Sequence, residues 1–478
     1  MIMDFSTADR RRFRELVYSP FFNKHQPTRQ LADFLLNNEP NDWDRATAES
    51  LLWPDQKPAP TTLNNLLSDL LKLANKYLLL INLEEEPPLT EDLVTDALLK
   101  RELHDHLPSQ LRRQKRVVQK AERIDAEGYW QRAALAEKLD RWELNREKRA
   151  YNPFLQQRAN DLDVYYQIQK WRLACDMLSR NMVVKAQYEL HFVEPFQAYY
   201  LAHPDYPLAH PAIDLYYALF CLLKGDPDHN QYREVRQKLE RYLDRFPQPE
   251  QRTLYSYLLN YGVRQINSGD GRYYQEVLDL YKWLLDKEII FKNGYLTQWT
   301  YTNIITAGIR LQDYDWTEQF IRSYQSYLLP ELRSNVYSYN LVNLYFERGD
   351  YQRALATLQE VSFTDAFYQL AARQIQLRIY YLEETVEPFF SLILSTERFL
   401  SRNRQLSDYQ KKGSQTFLRL IKRLFKLKIR PHERERKRYR DQWSRLKSAI
   451  NEAEVLTHRR WLAGQVVDPS PDGRGSGD

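Results

Sequence analysis

Nine histidines and two cysteines are the side chains best suited to chemistry in this 478-residue chain, and their spacing is the first guide to what it could do. His104 and His106 stand two apart in a helical stretch and point to different faces, whereas a helix that shares a metal offers an i, i+4 pair. His203 and His210 flank the connection AHPDYPLAHP, where capping and turn roles are commoner than ligation. Cys175 and Cys221 lie in the apolar contexts RLACDML and LFCLLK; without neighbouring ligands they read as buried packing groups and fit a reducing compartment. Glu383 and Glu384, adjacent at a helix end, read as solvated charge. No glycine-rich phosphate loop, Gly-x-Ser-x-Gly elbow or Cys-x-x-Cys pair occurs. The expectation is a protein that is not an enzyme, with no catalytic residue, no cofactor and no metal.

The elements around these residues are expected to be helices. Apolar residues make up 43% of the chain, enough for a continuous core. Only 13 residues are glycine, and four of those (Gly464, Gly473, Gly475, Gly477) fall in the last fifteen positions. The start, MIMDFSTADRRRF, has no apolar leader, and YLLLINL (77–83) is too short to span a bilayer. A cytoplasmic protein without a membrane segment is expected.

The stretch YNLVNLYFERGDYQRAL (339–355) reads as two helices around a tight turn, with Ala354 small enough to let them approach. Asn303 and Asp313 precede Asn340 and Asp350 by thirty-seven residues, and SYLLNYGVRQINSGDGRYYQEVLDL (256–280) echoes the pattern with an insertion in its turn. Residues 162–178, 214–243 and 367–400 also read as helix pairs. The pattern resembles the tetratricopeptide repeat, clearest over 250–360, with Val342 where that family usually has glycine. The resemblance implies an all-α fold, a right-handed α-solenoid over 151–400, whose first helices line a groove for a protein or peptide partner. Carried onto this chain, the groove residues are Trp299, Thr302, Thr306, Arg310, Tyr339, Asn343, Phe346 and Glu347. The lysine-based carboxylate clamp of chaperone-binding members is not reproduced, since only Asn343 matches.

Ahead of the repeats, LEEEPPL (83–89) reads as a linker closing an N-terminal helical domain, 1–83, with a helical connection over 84–150. Residues 29–80, with LLWPD before a polar turn and a long leucine-rich helix, are similar to the winged-helix domain of bacterial SARP-type transcriptional regulators. That resemblance implies a recognition helix presenting Thr61, Asn64, Asn65, Ser68 and Lys72 to nucleic acid. Residues 1–80 carry ten basic and ten acidic side chains, so a protein-packing module is the better reading. RRRFR (10–14) is read as a solvated helix face, and Phe21 and Phe22 as the pair that locks the first helix down.

Charge is concentrated at the far end. Residues 398–462 hold twenty Lys or Arg against six Asp or Glu, leaving the remainder of the chain net negative. Phe417, Leu420, Ile421, Leu424 and Phe425 form one stripe with Arg419, Lys422, Arg423 and Lys426 off it, which suits a basic helical cap over 401–462. Arg434, Arg436, Lys437, Arg438 and Arg440 are the expected contacts for a polyanion, either nucleic acid or an acidic protein surface. Residues 463–478 are expected to be a disordered tail. The leading functional expectation is a non-enzymatic scaffold or adaptor; the alternative is a regulator-like or general nucleic-acid binder. The sequence leaves the oligomeric state open.

Overall fold

A computed structural model describes residues 1–38, 43–54, 60–144, 151–183, 188–205, 209–226, 228–361, 363–429 and 437–466, without the side chains of 60, 182, 183 and 437–440. The described residues form 22 helices and no β-strand, and neighbouring helices pack on one another. The chain divides into two compact units: 1–181 with 186–247, and 182–185 with 248–478. That division falls inside the stretch read from sequence as one array.

In the first unit, Ser6 caps helix α1 (Thr7–Tyr18) by accepting from the Asp9 backbone N–H. Helix α2 (Gln26–Asn37), α3 (Arg45–Leu52) and α4 (Pro60–Glu85) complete a core of Phe13, Leu31, Leu52, Leu63, Leu70 and Tyr77, whose helical spacing puts them on inner faces. The Tyr77 hydroxyl donates to Asp9 at 2.7 Å. Arg10 donates to the Leu36 carbonyl, Arg12 pairs with Glu84 and Arg14 with Asp33, so RRRFR ties helices together rather than lying free in solvent. Phe22 packs against the core, but Phe21 is 87% exposed, which corrects the paired lock expected of them. Helix α5 (Pro87–Lys100) begins two residues after α4 ends, so of the stretch 83–89 only Glu86 lies outside a helix. Helices α6 (Leu107–Lys120) and α7 (Ala126–Leu144) bury Lys138 against Asp92 at 2.5 Å and Asp96 at 3.0 Å. The unit ends with α8 (Pro153–Val183), α9 (Val193–Ala202), α10 (Pro211–Lys224) and α11 (His229–Tyr242), where the enclosed Trp171 meets Tyr200, Tyr217 and Phe220.

The second unit opens with four helix pairs: α12 (Gln248–Asn267) with α13 (Tyr273–Asp286), α14 (Gln298–Arg310) with α15 (Tyr314–Tyr324), α16 (Pro330–Arg348) with α17 (Tyr351–Glu360), and α18 (Ala366–Leu382) with α19 (Val386–Arg402). Each first helix ends in a left-handed residue, Gly269, Gln312, Gly349 or Glu384. In each case the next residue's N–H returns to a carbonyl five residues back: Asp270 to Gln265, Asp313 to Gly308, Asp350 to Tyr345, Thr385 to Tyr380. This closure satisfies the last carbonyls of the helix and turns the chain sharply. Helix α14 also packs on α16, and α16 on α18, so successive first helices are neighbours, as a helical repeat requires. Helices α20 (Asp408–Lys428), α21 (Lys437–Glu452) and α22 (Arg459–Gln465) follow. The stripe Phe417, Leu420, Ile421, Leu424 and Phe425 is fully buried against Phe389, Ile393, Leu446 and Ile450.

One contact sets how closely the pairs approach. Ala354 is fully buried, and its counterpart thirty-seven residues earlier is Thr317. A Cβ on Gly308 would lie 2.1 Å from Thr317 Oγ1, so the α14–α15 pair closes only because residue 308 has no side chain. Gly308→Ala is therefore expected to cost about 1–3 kcal/mol through overpacking, despite the better helix propensity of alanine. In a Thr317→Ala background most of that cost should disappear. Denaturant melts of the four proteins in this double-mutant cycle check it, and additive losses would contradict the contact.

Candidate binding groove

The shared turn gives a common register for the first helices. Six residues before Gln312, Gly349 and Glu384 stand Thr306, Asn343 and Arg378, at one equivalent position on α14, α16 and α18. All three line a single cavity of about 310 Å³, together with Arg310, Tyr339 and Glu347 on the first helices and His458, Arg460 and Trp461 from the end of the chain.

Five of the eight residues expected from sequence thus meet at one place: Thr306, Arg310, Tyr339, Asn343 and Glu347. Arg310 comes within 4.0 Å of the Glu347 carboxylate, and Tyr339 is half-buried with its ring 5.5 Å from Tyr368. The other three lie elsewhere. Trp299 is 66% exposed in the first turn of α14 and does not reach the cavity. Thr302 accepts a hydrogen bond from the Asn340 side chain at 3.2 Å. Phe346 is a correction: it is buried, because one residue along a helix rotates it about 100° from Glu347 toward the core. Its ring nevertheless serves the site from below, with the Arg378 guanidinium 4.2 Å above its centroid.

Arg378, His458, Arg460 and Trp461 were not anticipated. Arg378 is 4% exposed, lies 5.9 Å from the Trp461 ring, and among the described residues makes neither a hydrogen bond nor an ion pair; its Nε is buried without a partner. Burial pushes its guanidinium down to about 10, with nearby Tyr339 and Glu347 acting in the opposite sense. His458 is fixed from behind: Gln374 donates to Ser414 at 3.0 Å, and its carbonyl oxygen accepts from the imidazole Nε2 at 3.0 Å. Burial, assisted by the Arg378 charge, pushes the imidazole down to about 3, so His458 is neutral at physiological pH. The signal for Arg378 was its six-residue distance from the turn. For His458–Trp461 there was none, since they reach the cavity only through the fold of the cap.

The remaining sequence candidates stay apart. His104 and His106 are exposed, His210 meets the Tyr129 hydroxyl at 3.1 Å, and burial raises both Cys175 and Cys221 away from the reactive thiolate. Thr61, Asn64, Asn65, Ser68 and Lys72 are all exposed on α4, with Lys72 paired to Asp69 and Asn64 held by Arg45. Arg434 and Arg436 lie outside the described residues; Lys437, Arg438 and Arg440 belong to α21, but their side chains are also outside the description. Residues 467–478 of the expected tail lie outside it as well. Among the described residues no group of His, Cys, Asp or Glu side chains is arranged to hold a metal ion, and no helix is long and apolar enough to cross a membrane. No protein-family model, curated protein or solved structure matches the chain.

The neutral His458 has a consequence for stability. Below about pH 6.5 the unfolded chain binds a proton there that the native imidazole refuses until about 3, so stability falls as pH drops through this window. His458→Gln removes the titrating group while keeping a donor for Gln374. The melting temperature of this variant should fall less than that of the parent between about pH 7.5 and pH 4.5. Equal losses in the two proteins would show that the imidazole is not held neutral.

Proposed function

We propose that the protein is a non-enzymatic binding scaffold that holds a segment of a protein partner in the cavity of the second unit. The observation that carries this reading is the convergence of Thr306, Asn343 and Arg378, equivalent positions on three successive first helices, on one opening. Repetition of that kind suits an extended ligand, because each helix presents its own side chain at a regular interval along the bound chain. The lining supports recognition rather than reaction. Asn343 offers both donor and acceptor, Tyr339 and Trp461 offer aromatic surface, and Arg310 and Arg460 offer fixed charge, but no nucleophile has a base beside it.

The test is selection of binders to the full chain from a displayed library of random peptides, followed by affinity measurement on the enriched sequences. Arg310→Ala with Asn343→Ala should weaken a selected peptide about tenfold or more. The melting temperature should stay close to that of the parent, since Arg310 is exposed and Asn343 is only half-buried. Failure to enrich any sequence, or unchanged affinity in the double variant, contradicts this role.

A further inference from the structure

Three guanidiniums, those of Arg310, Arg378 and Arg460, face the cavity, and one carboxylate, that of Glu347, faces it with them. With His458 neutral, the lining carries a net charge of +2. Glu347 stands 4.0 Å from Arg310, so the only acid present is already engaged at one side. Arg460 makes no hydrogen bond or ion pair among the described residues, and Arg378 is enclosed without one. A buried cation without a counter-charge is costly, because its desolvation is not offset by a partner. The fold keeps Arg378 in that condition with its guanidinium carbon 4.2 Å from the Phe346 ring centroid, a contact that uses none of its hydrogen-bond donors.

We infer that the Arg378 end of this cavity is a subsite for a phosphate group. A dianionic phosphate balances the +2 lining, whereas a single carboxylate leaves it cationic. Its oxygens can also take donors from several directions, which suits three arginines of different helices better than the two oxygens of a carboxylate. Asn343, on the helix between those bearing Arg310 and Arg378, adds an amide donor without charge. The cavity, about 310 Å³, is much larger than one phosphate, so the space beyond the anion can hold the residue that carries it. The inference rests on the scaffold reading where the phosphate belongs to a bound segment, and stands without it where the phosphate is free.

The full-length protein is titrated calorimetrically at low ionic strength with inorganic phosphate, with succinate, and with a phosphoserine peptide beside its unphosphorylated form. Expected is one binding event per chain for a phosphate probe, weaker or absent for succinate and the unmodified peptide. Preference for the phosphopeptide over inorganic phosphate assigns the group to a protein segment; the reverse assigns it to a free anion. Arg378→Met, which removes the charge and keeps an unbranched stem, should reduce phosphate affinity about tenfold or more. It should also leave the melting temperature unchanged or raised, because an uncompensated charge is removed. Arg460→Ala, at an exposed position, should give a similar loss without disturbing the fold. Phosphate that fails to bind, succinate that binds better, or either variant binding phosphate as tightly as the parent overturns the proposal. Because inorganic phosphate is one of the probes, the subsite can succeed where no peptide is ever selected, and selected peptides can bind where phosphate does not.

Discussion

The left-handed residue that ends each first helix is the constraint on which the second unit depends. With the backbone at φ of 85° for Gly349, 58° for Gln312 and 57° for Glu384, the helix closes through the same returning hydrogen bond each time. Glycine occupies this conformation freely, whereas an L side chain there costs about 1–2 kcal/mol. Gln312 and Glu384 therefore hold strained positions that the packing of the pairs must over-determine. That closure fixes where the second helix starts, and with it the rotation of the first helix about its axis. The rotation decides which residues look into the cavity. Thr306, Asn343 and Arg378 share a face because three turns are cut to the same pattern, although the residues themselves have nothing in common.

Packing between the helices follows from the same register. Where α14 has Gly308 the facing helix has Thr317; thirty-seven residues later, where α16 has Tyr345, the equivalent of Thr317 is Ala354. The close approach thus rests on a different small residue in each pair, Gly308 on the first helix of one and Ala354 on the second helix of the next. Tyr345 uses the space beyond its ring productively: its hydroxyl lies 3.1 Å from Glu318, which also binds Arg322 at 2.8 Å. The carboxyl of Glu318 is held below its usual range by these partners, even though burial opposes them. The turns of these helix pairs are thus alike in geometry although their residues differ.

The sequence carries part of this arrangement and leaves the rest unmarked. Ala354 and the stripe Phe417–Phe425 come from helical periodicity, which is what a sequence records best, whereas the groove positions Thr306, Arg310, Tyr339, Asn343 and Glu347 are what the resemblance to the tetratricopeptide repeat implies. The resemblance implies a groove place for Phe346 beside Glu347, although one residue of rotation is enough to carry a side chain from the opening into the core. Trp299 sits at the beginning of its helix, too far along the axis to share the opening. The division at 247 and 248 leaves no mark, because helix pairs read alike on both sides of it. For the stretch similar to a winged helix, the exposure of Thr61, Asn65, Ser68 and Lys72 follows from the leucines that α4 buries, and exposure alone assigns no ligand.

Arg378 shows why the most informative residue was also the hardest to foresee. In RQIQLRIYYLEE it reads as one more charge on an amphipathic helix, and the expectation for such a residue is solvent. Its turn carries Glu384 where the clearest pair carries Gly349, so the six-residue spacing that aligns Arg378 with Asn343 has no glycine to mark it. Burial then required a second, distant event: Trp461, carried back by the cap, lies 5.4 Å from Tyr381 and 5.9 Å from the guanidinium, closing the side that Phe346 leaves open. An apolar side chain at this position would give up the cation–π contact with Phe346 but would avoid the cost of burying an uncompensated charge. An arginine buried without a counter-charge next to an open cavity, among two further arginines, departs from local rules in the way the proposed subsite requires.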